Sequence, residues 1–143
     1  MKRAVFIGII MLSLCLSGCN TSSEYTFMKP ASEIVSMDII CTDPYRDYSA
    51  YNDIEPAYKI ASEQWSSFIS DFTKITCKRY YADPCLSLSG MVIRITYMDG
   101  SYEVISPYTG LHVTSDGDWR YIMCYFDDAA FNSLISAYTE DKG

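Results

Sequence analysis

With 143 residues, the chain has the length of one domain rather than two. Apolar residues make up 49% of it and aromatic residues 15%, which excludes a disordered chain, because Tyr, Phe and Trp supply the buried area that offsets the entropy of ordering. A formal charge of −7 excludes the Lys- and Arg-rich footprint of a nucleic-acid binder.

The N-terminal segment reads as an address. Lys2 and Arg3 precede an apolar run of 13 residues, Ala4 to Leu16. A membrane span needs about 20 apolar residues, so this run has the length of a signal-peptide core instead. Leu16-Ser17-Gly18-Cys19 follows directly and resembles the lipobox of bacterial lipoproteins at all four positions. The resemblance implies cleavage before Cys19, lipidation of its thiol and acylation of its new amino group. One acyl chain holds a protein only marginally, whereas a diacylglyceryl group plus an acyl chain anchors it stably. The implied location is the cell membrane or outer membrane, lipid-anchored, on the extracytoplasmic face. Cleavage removes Lys2 and Arg3 and takes the formal charge from −7 to −9.

The expected organisation is a signal peptide over 1–18, the lipidated cysteine and a polar tether over 19–32, and a single α+β domain over 33–143. Val35, Met37, Ile39 and Cys41 alternate with Ser36, Asp38 and Ile40, which predicts a strand over 33–42. Residues 43–57 form a polar loop punctuated by Pro44 and Pro56, with Tyr45, Tyr48 and Tyr51 recurring every third residue. A helix is predicted from Ser62, its expected N-cap, to Ile75, with Trp65, Phe68, Ile69 and Phe72 on one face. A short strand is expected over 77–81.

Asp99-Gly100 between two apolar runs predicts a hairpin with a two-residue type I′ loop. In that register Tyr97 faces Tyr102, and Ile93, Ile95, Tyr97, Tyr102 and Val104 share a face, with Arg94, Thr96 and Glu103 opposite. Asp116-Gly117 predicts a second hairpin. There Leu111, Val113, Ile122, Cys124 and Phe126 share one face, and His112, Trp119, Tyr121, Met123 and Tyr125 the other. Asp127 then caps a helix to Tyr138, with Phe131, Leu134 and Ile135 on its inner face. The expected fold is α+β: a single antiparallel sheet of five or six strands with two amphipathic helices packed on it. The segment Tyr97 to Ser106, with the hairpin and helix after it, resembles small uncharacterised bacterial lipoproteins, many from Gram-positive species; that resemblance implies no activity.

Setting aside Cys15 in the signal and Cys19, four cysteines remain. In an exported compartment they favour disulfides, and the expected pairs are Cys77–Cys85 and Cys41–Cys124. No metal-ligand spacing, G-x-S-x-G or H-E-x-x-H occurs, so neither a metal nor another cofactor is expected and no catalytic residue is assigned. The candidate ligand-binding residues are His112, Trp119, Tyr121 and Tyr125 on the outer hairpin face and Tyr45, Tyr48 and Tyr51 in the loop. These features point to an anchored binding or interaction module, with an envelope protein or cell-wall glycan as its partner. The acidic charge also suits an inhibitor or immunity-type protein against a cationic enzyme. A hydrolase built on His112, the only histidine, is a third reading.

Overall fold

The computed structural model describes residues 22–43, 48–79 and 88–140. In chain order they form β1 (Ser22–Ser23), β2 (Ile34–Thr42), β3 (Tyr58–Lys59), α1 (Trp65–Thr73), β4 (Cys77–Arg79), β5 (Gly90–Tyr97), β6 (Tyr102–Ile105), β7 (Gly110–Val113), β8 (Trp119–Ile122), β9 (Cys124–Phe126) and α2 (Asp128–Thr139). Six strands make an antiparallel sheet in the order β3-β2-β5-β6-β7-β8. The class is α+β, with this sheet and two helices. A second sheet of three strands, β1-β4-β9, stands beside it. The chain passes from one sheet to the other at Met123, which splits the expected long last strand into β8 and β9.

Both faces of the large sheet are covered. On one, Met37, Ile39, Ile93, Ile95, Tyr97 and Ile105 pack with Phe68 and Phe72 of α1 and Phe131, Leu134 and Ile135 of α2. The apolar spacing read from the two helices is the spacing buried here, with Trp65, Ile69 and Tyr138 at the margin. Phe72 is fully buried among the rings of Tyr25, Phe27, Phe126 and Phe131, with centroids 5.1–6.4 Å away. Truncating such a ring to Ala costs about 3–5 kcal/mol. Asp127 caps α2, its Oδ1 accepting from the Ala130 amide at 2.8 Å. Ser62 does not cap α1; it opens a 3-10 turn, Ser62–Gln64, that runs into the helix without a side-chain cap.

On the other face, Ile40, Val92, Tyr102, Val104, Leu111 and Val113 pack with Tyr51, Ile54 and Leu88. The 3-10 segment Tyr48–Asp53 is held there by Arg94. Its guanidinium donates to the carbonyls of Tyr51 (2.9 Å), Asn52 (3.1 Å) and Ile54 (2.9 Å) and pairs with Asp38 at 2.9 Å. This cation is buried, and its charge is met by one carboxylate and three carbonyl dipoles.

Both hairpins differ from the expected register by one residue. Tyr97 N donates to Ser101 O, and Gly100 sits at φ +83°. The loop is therefore three residues, Met98-Asp99-Gly100, closed by a glycine in the left-handed region. Thr114 N bonds Asp118 O, and Gly117 at φ +87° does the same job in the second hairpin. A one-residue slip turns over every side chain on the far strand. Glu103 thus pairs opposite Ile95 on the helix-covered face, while Tyr102 and Val104 point the other way. In the second hairpin His112 pairs with Arg120, and Leu111, Val113 and Tyr121 share the opposite face.

Residues 22–30 are not a free tether. Ser22 and Ser23 pair with Lys78 and Cys77, Tyr25 is buried, and Phe27 and Met28 pack on the core. The polar composition hid this, because only three apolar side chains anchor the segment.

Candidate functional site

Glu103 organises the region where the N-terminal segment meets the large sheet. It is fully buried on β6 and accepts three hydrogen bonds, with the His112 ring close by. Tyr25 Oη donates to its Oε2 at 2.8 Å, and His112 Nε2 lies 3.1 Å from the same oxygen. The Met28 amide donates to Oε1 at 3.1 Å, and Tyr97 Oη donates to Oε1 as well. Three donors and the adjacent His112 ring meet the buried carboxylate. Because the Tyr25 hydroxyl gives its hydrogen to Glu103, His112 Nε2 is the donor in its 3.2 Å contact with Tyr25 Oη. Burial, and then the Glu103 charge, push the Tyr25 and Tyr97 hydroxyls well above their ordinary pKa.

This network forms the floor beside a cleft of about 350 Å³. The cleft opens where β7 and β8 of the large sheet meet β4 of the small sheet and residues 24–28. His112, Tyr25, Cys77, Glu24, Arg79 and Arg120 line it, with Phe27, Met28 and Ile122 adding apolar wall. Among the described residues Lys29, Lys74 and Arg94 are engaged by carboxylates, whereas Arg79 and Arg120 are in no ion pair. Glu24 pairs with neither. His112 Nδ1 is buried and has no hydrogen-bond partner. A nucleophile would have to sit against that nitrogen, and none of the described residues does. The other ring nitrogen meets Tyr25 and Glu103, which pin His112 at the cleft wall.

Cys77 and Cys124 lie together on adjacent strands of the small sheet, both buried and both free thiols. The two thiols are neighbours: Cys124 lowers the Cys77 pKa, and Arg79 adds to this. The same contact, with burial, raises that of Cys124. The expected Cys41–Cys124 bridge is therefore corrected: Cys41 is an exposed free thiol near the end of β2, whereas Cys124 packs inside the other sheet. Cys85 lies outside the described residues, and so does its expected bridge to Cys77, as do Cys15 and Cys19. No group of three metal-ligating side chains occurs among the described residues.

The aromatic platform read from the sequence is not formed. The register slip puts His112 on the helix-covered face and Trp119 and Tyr121 on the other. Trp119 is exposed and meets Tyr121 edge-on at 5.5 Å, beside a shallow depression of about 230 Å³ that also holds Asn52 and Tyr102. Tyr125 belongs to β9, in the other sheet, where Lys78 Nζ stands 5.7 Å above its ring. Tyr51 is core. Tyr48 contributes backbone to the 3-10 segment, and Tyr45 lies outside the described residues. Sequence reasoning missed Glu103, Tyr25, Arg79 and Arg120. Only the Glu103–His112 pairing carried a readable signal, since the correct loop length would have placed both on one face.

Compared with protein-family models, with curated proteins and with solved structures, the chain matches none.

Proposed function

We propose that this chain is a lipid-anchored extracytoplasmic lipoprotein that works as a binding module, with the cleft between the two sheets as its ligand site. The observation that carries the binding reading is the pair of arginines, in no ion pair among the described residues, on the wall of a cleft in an acidic protein. A cleft of about 350 Å³ falls at the small end of ligand sites, and its floor is held rigid by the Glu103 network. The anchoring reading rests on Lys2, Arg3, the apolar run and Leu16-Ser17-Gly18-Cys19. Only Asn20 and Thr21 separate Cys19 from β1. A lipid there would hold the body within about 11 Å of the bilayer surface, at 3.3–3.6 Å per residue.

The test is flotation of membranes from bacteria making the wild type or Cys19→Ser, followed by protease treatment of intact cells stripped to the cytoplasmic membrane. The wild type should float with membranes and be cut from outside. Cys19→Ser should lose membrane association. A wild type that stays soluble, or is protected from external protease, refutes the anchored extracytoplasmic reading.

A further inference from the structure

Resting on the reading of the cleft as a ligand site, we infer that the group it takes is a phosphate, carried on a small organic molecule or a lipid headgroup and held between Arg79 and Arg120. The two guanidinium groups come from different sheets, Arg79 from β4 and Arg120 from β8, and both line the same cleft. One bidentate guanidinium saturates a carboxylate, whereas a phosphate has further oxygens free for a second fork. Two such groups on one wall therefore favour phosphate.

The local charges agree. Among the described residues Lys59, Lys78, Arg79 and Arg120 are in no ion pair, and of these the two arginines stand together on this cleft. Glu103, the nearest buried acid, is not presented to the cleft: its oxygens accept from Tyr25, Tyr97 and Met28, and His112 stands 3.1 Å away. Glu24 is the one carboxylate on the wall and is in no ion pair with either arginine. The volume exceeds what a bare phosphate needs, and Phe27, Met28 and Ile122 offer apolar contact to the rest of the molecule. Glu24 is five residues from Cys19, so the rim of the cleft would lie within about 18 Å of an anchored lipid. A phospholipid headgroup and a soluble phosphate ester are thus both within reach, and they share the recognising chemistry.

The experiment is an NMR titration of the full ¹⁵N-labelled chain in neutral detergent, reading the arginine Nε–H signals and the amides of 24–28 and 120–122. The probes are glycerol 3-phosphate, bicelles doped with phosphatidylglycerol, and glycerol. Either phosphate probe should shift the Arg79 and Arg120 signals saturably, and glycerol should not. R79Q and R120Q should each weaken binding about tenfold or more, since a charge-assisted contact is lost. The double variant should abolish saturation while the remaining spectrum stays unchanged. Saturation by glycerol 3-phosphate identifies a soluble ester; saturation by the bicelles alone identifies a headgroup. Two results overturn the proposal: no saturation by either probe at about 10 mM phosphate, well above a millimolar Kd, or saturation that survives both substitutions. A screen of uncharged fragments separates the two readings. If those fill the cleft irrespective of the arginines, the ligand site stands and the phosphate assignment falls.

Discussion

Glu103→Gln is the substitution that most directly loads the centre of this structure. It keeps the size and removes the charge. The carboxylate accepts from Tyr25, Tyr97 and Met28, with His112 Nε2 3.1 Å away. A carboxamide has one oxygen, and its nitrogen brings two hydrogens toward groups that are donors. The tyrosine hydroxyls can rotate to accept, but the Met28 amide and His112 Nε2–H cannot. Met28 faces Oε1 and Tyr25 with His112 faces Oε2, so whichever way the amide lies one side loses its charge-assisted bond, at about 1.5–3 kcal/mol, and the other keeps only a neutral one, at about 1 kcal/mol less. The expected loss is about 2.5–4 kcal/mol, a large share of the roughly 5–15 kcal/mol typical of a domain. Urea unfolding of the full chain, followed by Trp65 and Trp119 fluorescence, should show a lower midpoint at unchanged slope. Tyr25→Phe combined with Glu103→Gln should cost less than the sum of the single changes, because both remove the same bond. A loss below about 1 kcal/mol for Glu103→Gln would refute the claim that this carboxylate is charged and fully bonded.

Three other outcomes are expected. Tyr25 and Tyr97 titrate above their ordinary range in the fold, so the unfolded chain loses those protons first. Stability should hold below about pH 10 and then fall with rising pH, by up to about 1.4 kcal/mol per unit for each tyrosine, and Tyr25→Phe should remove its share of that slope in alkaline urea titrations. Gly110→Ala would set a Cβ 2.8 Å from Tyr25 Oη and 3.2 Å from Ile122 Cβ, so it should cost about 1–3 kcal/mol and speed exchange of the Met28 amide. Asp127→Ala removes the cap on Ala130 N and should cost about 1 kcal/mol, read as a lower melting temperature with the sheet signals unshifted.

What could be read from the sequence followed the reach of local rules. Phe131, Leu134 and Ile135 at helical spacing behind Asp127 specify α2 almost completely, because cap and apolar stripe both act within a few residues. The same held for Phe68 and Phe72 in α1. The hairpins were found but set one residue out of register. Asp99-Gly100 fits either a two-residue loop or the end of a three-residue loop, and dipeptide chemistry does not choose between them. That single slip decided the site. It moved Glu103 inward beside His112 and sent Trp119 and Tyr121 to the other face. Tyr25 was unreadable for another reason. Its partners, Glu103 and His112, lie 78 and 87 residues away, and a lone aromatic in a polar stretch has no periodicity to reveal it. The second sheet escaped notice because Ser22–Ser23 lay in the expected tether and Cys124–Phe126 in the expected second hairpin, and strands of two or three residues carry too little pattern to show that both pair with β4.

The docked N-terminal segment gives the account its functional geometry. Tyr25 and Met28 tie residues just after Cys19 to the wall of the cleft. An anchored chain would carry its ligand site close to the lipid instead of at the end of a flexible arm. In that arrangement Lys78, Arg79 and Arg120 stand near the membrane side and could offset the repulsion expected between an acidic domain and anionic lipids.

The central claim is the lipid on Cys19, and the most direct measurement is mass spectrometry of the N-terminal peptide from protein extracted from its own envelope. The expected peptide begins at Cys19 and carries a diacylglyceryl thioether, with nothing recovered from residues 1–18. An unmodified Cys19 inside a peptide that still includes Leu16, Ser17 and Gly18 would contradict it.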